Sequence, residues 1–195
     1  VISDLGSGGA QRVLTTLANT WAARGRRVCV ITLADRTSDF FPLDPSIDRR
    51  VAGGVHDSRS LSDALRMNVR RIANLRRCLR ESGAPVAAAF VGTTNILTIL
   101  SAWGTGIRVV ACERNDPSRQ SLGRMWDFLR RRFYRYADRV TANSRGVLDT
   151  LSKFVPASKL AYVPNPLAVF PPTIEGKAHT PTVLSVGRLH FQKGY

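Results

Sequence analysis

The segment Gly6-Ser7-Gly8-Gly9-Ala10-Gln11-Arg12, the helical stretch behind it, and the run Gly25-Arg26-Arg27-Val28-Cys29-Val30-Ile31-Thr32-Leu33 decide the fold. Val13, Leu14, Leu17, Ala18 and Trp21 recur at helical spacing, so a helix runs over 10–24 and Gly25 ends it. The β-branched run that follows has no polar alternation, which suits a parallel strand covered on both faces. Ahead of the glycines, Val1-Ile2-Ser3 reads as the tail of a strand already under way. Strand, glycine turn, helix and buried strand together make one βαβ unit.

Outward from that unit the alternation continues. Residues 35–60 read as a long polar loop with one short strand around Arg50-Val51. A helix over 61–80 carries Leu61, Leu65, Val69, Ile72, Leu75 and Leu79 as one stripe. Strands follow over 86–91, 109–112, 140–142 and 160–163, with helices over 96–103, 122–137 and 145–153 between them. This alternation specifies an α/β fold, a Rossmann-like doubly wound parallel sheet. After Pro164-Asn165-Pro166 the composition turns proline-rich without periodicity, and 182–186 begins a fresh buried strand. A domain boundary is expected near residue 175, giving a first domain over 1–175 and the start of a second over 176–195. Both ends read as cut.

Composition narrows the classes. Hydrophobic residues at 44% and charged residues at 22% are globular values and exclude a disordered chain. The most apolar stretch, 84–103, is interrupted by Gly92-Thr93-Thr94-Asn95, so it reads as a strand and a helix and not as a membrane span. Cys29, Cys78 and Cys112 show no metal-ligand spacing, and Cys29 and Cys112 fall in apolar runs, as buried thiols in a reducing cytoplasm would. The 29 Lys+Arg against 14 Asp+Glu give a formal charge of +15. Such a field attracts nucleic acid, anionic lipid or phosphorylated substrates, or is simply an arginine-rich solvated surface.

Four places could carry chemistry. Gly8, Gly9 and Arg12 lie between a strand end and a helix start, where backbone N–H groups favour an anion; the other reading is a tight turn. Asp35 invites a dinucleotide reading, but Gln11 stands where the third glycine of that fingerprint belongs. Glu113, Arg114 and Asn115 follow a strand directly, on the edge where open α/β sheets bind ligands. Glu113 could orient a hydroxyl, Arg114 meet a phosphate and Asn115 donate to a sugar. Arg188 and Lys193, five residues apart after a strand, could clamp a departing diphosphate or be two solvated cations. Finally, Leu122, Trp126, Leu129, Phe133 and Tyr136 form an apolar stripe, with Arg124, Arg130, Arg131, Arg132 and Arg135 around it. That suits an interfacial helix on anionic lipid, or a core-facing helix with a solvated arginine face. His56, His179 and His190 pair with no serine or cysteine as a triad would.

Gly8-Gly9-Ala10-Gln11-Arg12, Asn143-Ser144, Val163-Pro164-Asn165-Pro166 and Gly187-Arg188-Leu189-His190-Phe191-Gln192-Lys193-Gly194, in this order and spacing, resemble the family 4 glycosyltransferases. The Glu113-Arg114-Asn115 stretch resembles a subgroup that extends lipid-linked or capsular oligosaccharides. The resemblance implies a GT-B architecture of two Rossmann-like domains facing a cleft, of which this chain holds the first domain and the first strand of the second. It implies a retaining hexosyltransferase that moves sugar from a nucleotide-sugar donor, UDP-linked, to a lipid-linked oligosaccharide or polysaccharide acceptor, with no metal and no cofactor. Arg188 and Lys193 would then neutralise the leaving diphosphate, Gly8, Gly9 and Arg12 would line the cleft, and the acceptor would lie near Glu113, Arg114 and Asn115. Many members carry a histidine where this chain has Glu113-Arg114-Asn115. The implied setting is the cytoplasm, peripheral on the inner membrane face, and the 195 residues alone are expected to be inactive. The rival functions are an NAD-dependent oxidoreductase and a basic nucleic-acid-binding protein. No nucleic-acid partner is expected, because the aromatic residues sit on a helix stripe and not on an open stacking surface.

Overall fold

The computed structural model describes residues 1–37, 39–53 and 61–166. Its element order is α1 (Gly9–Ala23), β1 (Cys29–Thr32), β2 (Asp48–Val51), α2 (Leu61–Ser82), β3 (Val86–Phe90), α3 (Gly92–Ala102), β4 (Arg108–Glu113), α4 (Arg124–Phe133), β5 (Arg139–Ala142), α5 (Arg145–Ser152) and β6 (Leu160–Tyr162). Short 3-10 turns follow α4 at Tyr134–Tyr136 and precede β6 at Ala157–Lys159. Among the described residues every strand pairing is parallel: β1 with β2, and β3-β4-β5-β6 in sequence.

The N-terminal residues join these two ladders. Ile2 bridges Thr32 of β1, its N–H donating to the Ile31 carbonyl at 3.0 Å. On the other side the Phe90 N–H donates to the Val1 carbonyl at 2.9 Å. The spatial order is therefore β2, β1, the N-terminal segment, β3, β4, β5, β6. Chain direction across the sheet reverses between the N-terminal segment and β3. That is the topological switch point of a doubly wound sheet, and its carboxyl edge is where such sheets leave a crevice.

Two apolar layers hold the sheet. On one face α1 buries Val13, Leu14 and Ala18 against Ile2, Val30, Phe90 and Cys112. On the other, Leu75 and Leu79 of α2, Ile96 and Ile99 of α3 and Leu151 of α5 pack over Ala89, Ala111 and Val140. The small alanines of β3, β4 and β5 let the helices sit close to the sheet.

The structure refines four readings of the helices. The α2 stripe is half used: Leu75 and Leu79 are buried, while Leu65 and Val69 stand in solvent. At 22 residues α2 is about 33 Å long, whereas strands of 4–6 residues span about 13–20 Å, so half of it overhangs the sheet. In α4, Trp126, Leu129 and Phe133 do pack on the core, but Tyr136 does not. The backbone tightens to a 3-10 turn there, which turns Tyr134 fully inward and Tyr136 outward. Arg130, grouped with the solvated arginines, is 3% exposed. Helix α3 also starts four residues earlier than its apolar run, at Gly92. The boundary near 175, the strand over 182–186, Arg188, Lys193 and all three histidines lie outside the described residues.

Candidate functional site

Because the strands are parallel, their following loops gather on one edge. Across it stand Ser3–Gly9 after the N-terminal segment, 91–94 after β3, 113–116 after β4, 143–144 after β5 and 163–166 after β6.

The glycine turn is built around Asp4. Its Oδ1 accepts from the Gly6 N–H and from Gln11 Nε2, each at 2.9 Å, and Oδ2 accepts from the Ser3 hydroxyl at 2.7 Å. Partial burial pushes the Asp4 carboxyl up, but the three donors outweigh it and hold it below its usual value. The Gln11 side chain thereby folds back over Gly8, where a Cβ would lie 2.2 Å from its Oε1. A side chain at position 8 would therefore displace Gln11 from Asp4. Gly8 caps α1 without any side-chain hydrogen bond, and no acid occupies the first turn. The positive end of α1 thus faces the edge with exposed Arg12 one turn in.

Glu113, expected to orient an acceptor hydroxyl, is only 1% exposed. Its carboxylate turns under its own loop: Oε1 accepts from the backbone N–H groups of Arg114 at 3.0 Å and Asn115 at 3.3 Å. Oε2 accepts from the Tyr134 hydroxyl at 2.7 Å, and Asn95 Nδ2 donates to that same hydroxyl at 3.0 Å. Arg130 approaches Glu113 at 4.0 Å and is itself held by Asp127 at 2.7 Å. Burial raises the Glu113 carboxyl above its usual value in spite of these donors, and raises Tyr134 as well. Glu113 therefore fixes the backbone of 114–115 and does not open onto the edge.

Arg114 does reach the edge. Its guanidinium lies 5.2 Å from the Phe90 ring centre, leaning from β4 over β3 toward the switch point. Nη1 donates to Asn165 Oδ1 at 2.8 Å, which joins two segments singled out separately in the sequence. Ser144 accepts from the Val147 N–H as the N-cap of α5, so that position has a local structural task. Asp35 accepts from the N–H and hydroxyl of Thr37, closing its own turn. It is committed to a loop and not presented to a ribose.

One part of the edge escaped the sequence reading. Val91 sits at φ 72, ψ 133, a region that β-branched residues avoid, directly beside the switch point and ahead of the uncapped start of α3. At Gly92 a Cβ would stand 2.5 Å from Leu122 Cδ1, so a larger residue there would need the Leu122 side chain to move. Gly92-Thr93-Thr94 between an apolar strand and an apolar helix is the available signal for it.

Residues 7–169 match the profile of Glycosyltransferase Family 4. The chain belongs to that family. Over 166 residues it is 27% identical to the GalNAc-alpha-(1->4)-GalNAc-alpha-(1->3)-diNAcBac-PP-undecaprenol alpha-1,4-N-acetyl-D-galactosaminyltransferase of Campylobacter jejuni, covering 84% of this chain and 45% of that protein. Among solved structures it superposes on the apo form of the lipopolysaccharide outer core galactosyltransferase WaaB with a TM-score of 0.63 at 14% identity. That match covers 90% of this chain and 49% of WaaB, so the family 4 chain spans about half the length of either protein. The fold is that of one Rossmann-like half of a GT-B glycosyltransferase. Among the described residues no helix is long and apolar enough to cross a membrane, and no cluster of His, Cys, Asp or Glu could hold a metal ion.

Proposed function

We propose that this chain is the acceptor-side domain of a retaining hexosyltransferase that moves sugar from a UDP-linked donor to a lipid-linked oligosaccharide or polysaccharide. The observation that carries the reading is the family match across 7–169. The carboxyl edge supports it, because the uncapped start of α1 and the phosphate-suited Arg114 face the same side of one sheet. The relative from Campylobacter jejuni is named for an undecaprenol-linked substrate, which favours a lipid-linked acceptor over a free glycan.

On this reading residues 1–175 form the acceptor domain and 176–195 begin the donor domain. Arg188 and Lys193 offset the negative charge that develops on the diphosphate as the sugar's anomeric bond breaks. Gly8, Gly9 and Arg12 present backbone amides and one cation at the cleft, and Arg114 and Asn115 face the acceptor. Glu113 is a positioning residue, since it is turned under the loop that carries them. The protein works in the cytoplasm against an anionic inner membrane surface, and the 195 residues alone transfer no sugar.

The test uses the full-length protein with UDP-sugars and a polyprenyl-diphosphate-linked acceptor. Arg188→Ala should lower kcat by about a hundredfold or more, and Arg114→Ala should chiefly raise KM for the acceptor. Transfer by the 195-residue chain at the full-length rate, or binding of NAD and not of UDP-sugar, would overturn the reading.

A further inference from the structure

Phe40 stands in solvent on a loop that is otherwise fastened down. It is 66% exposed, while its neighbour Phe41 is half-buried and meets it edge-on, the ring centres 5.0 Å apart at 82°. A single exposed apolar side chain is ordinary on a protein surface. What distinguishes Phe40 is that its backbone is fixed on both sides. Its own N–H donates to the carbonyl of fully buried Leu5 at 2.8 Å. Just ahead of it, Asp39 is gripped by Arg49 of β2 at 3.0 and 3.3 Å. The same guanidinium, on a side chain only 8% exposed, donates to Thr32 Oγ1 and to the Arg50 carbonyl, each at 2.7 Å. Just behind it, Asn19 of α1 donates to the Pro42 carbonyl at 3.1 Å and accepts from the Asp44 N–H at 2.9 Å. A ring ordered before a ligand arrives lowers the entropy cost of binding.

The ring also stands where ligands gather. Strand β1 runs parallel to the N-terminal segment, so the loop after it opens on the same carboxyl edge as the glycine turn. Leu5, to which Phe40 is bonded, immediately precedes Gly6 of that turn. The N-terminal segment and β4 are two strand spacings apart, roughly 10 Å, and Arg114 leans back from β4 over Phe90. Phe40 and Arg114 therefore bound one stretch of the edge from opposite sides. Their electrostatic settings differ. Residues 34–47 carry Asp35, Asp39 and Asp44 against Arg36, an acid excess in a chain of +15.

The geometry points to Phe40 as a platform on which a sugar ring of the glycan acceptor stacks, with Phe41 fixing its tilt and Arg114 meeting the phosphate of the same molecule. One face of a pyranose is apolar and presents weakly positive C–H bonds, which suits the negative face of an aromatic ring. The sugar hydroxyls then point sideways toward the few polar groups of the edge, the usual division of labour in a ligand site. Lipid phosphates and nucleic acid are disfavoured here by the acid excess. A second copy of the chain is also a poor occupant. Two rings bury at most about 500 Å², short of the about 800 Å² per partner that a stable protein interface needs. The inference rests on the transferase reading for the identity of its ligand, and goes beyond it in naming the residue that reads sugar and not phosphate.

Equilibrium binding to the full-length protein, followed by titration calorimetry, tests it without catalysis. The two probes are farnesyl diphosphate bearing a disaccharide of N-acetylhexosamines, and bare farnesyl diphosphate. Phe40→Ala should raise Kd for the sugar-bearing probe about tenfold and leave Kd for the bare probe unchanged. Arg114→Ala should weaken both. Phe40→Trp should restore binding to within about twofold, and Phe40→Leu should not, because it keeps apolar bulk but no ring face. Equal Kd for the sugar-bearing probe in wild type and Phe40→Ala overturns the proposal, as does full rescue by Phe40→Leu or equal weakening toward both probes. No binding of the sugar-bearing probe by the wild type overturns it too. The urea midpoint of full-length Phe40→Ala should match that of the wild type. A midpoint lowered there but not in the 195-residue chain means that the rest of the protein covers the ring, which also sinks the idea. UDP-sugar binding separates this inference from the reading beneath it. Phe40-dependent affinity for the sugar-bearing probe without UDP-sugar binding leaves the platform standing and counts against the transferase. UDP-sugar binding and transfer with a Kd indifferent to Phe40 remove the platform alone.

Discussion

At the scale of single residues, two placements follow from hydrogen bonds that no local pattern announces. Gly8 is constrained by the Gln11 side chain that Asp4 pulls across it. Gly8 has φ −85, so alanine there brings no backbone strain; it only pushes Gln11 off Asp4. Gly8→Ala should therefore cost about 1 kcal/mol, the worth of one hydrogen bond, and cost nearly nothing in a Gln11→Ala background. Urea unfolding of the four proteins in that cycle measures the coupling. Glu113 gives a pH signature instead. Burial raises its carboxyl in the folded state, so the folded chain keeps the proton where the unfolded chain has lost it. Its contribution is full below the unfolded value and is lost as pH rises through the raised folded value. Asp4, Asp116 and Asp127 are lowered and act in the opposite sense, losing their contribution as pH falls. Glu113→Gln should thus flatten the stability decline on the rising side of the carboxylate range and leave the acid limb in place. Glu113→Ala, which leaves the Tyr134 hydroxyl and two backbone N–H groups without their acceptor, should cost about 3–5 kcal/mol. Unchanged pH profiles in Glu113→Gln would show that the carboxyl is not the titrating group.

Elements were legible to the degree that one physical demand dominated them. The β-branched run at 28–33 could only be a covered strand, and β1 and its parallel partner β2 are there. Helix α4 was harder, because it carries two apolar sets, Trp126, Leu129 and Phe133 against Met125 and Phe128. Periodicity alone does not say where a helix tightens to 3-10 and rotates Tyr136 outward. Helix α2 is a different case: its stripe is real, but the sheet beneath is too short to cover all of it. Leu75→Ala should accordingly cost about 2–5 kcal/mol, as burial at a filled position requires. Leu65→Ser and Val69→Ser should stay within about 0.5 kcal/mol. A loss at Leu65 or Val69 comparable to that at Leu75 would mean that the overhanging half is covered in solution.

Across the whole molecule, the parallel alternation says which loops share an edge, so the sequence alone assigns Gly8, Gly9, Glu113, Arg114 and Asn115 to the ligand side, although Glu113 turns under its loop. The polar network beneath that edge was not legible. Asn95, Glu113, Arg130 and Tyr134 come from four elements, and each, read singly, is a residue that prefers the surface. Glu113, Tyr134 and Asn95 are buried in one hydrogen-bonded chain, with Arg130 held beside it by Asp127. A long-range side-chain connection runs from Arg114 to Asn165, 51 residues apart, where a guanidinium lying over Phe90 also holds the segment leaving β6. If that hydrogen bond secures the exit, Asn165→Ala should speed hydrogen exchange at the Val163 N–H, which donates to the Ala142 carbonyl. Arg114→Ala should speed it at least as much, and the double variant no further, because both remove the same contact. Arg114→Lys should not rescue it, since an ammonium offers no planar fork to lie on Phe90 while reaching Asn165. Additive acceleration in the double variant would instead mean that Phe90 stacking and the Asn165 bond act on separate parts of the edge, and the exit from β6 would then be held by its strand pairing alone.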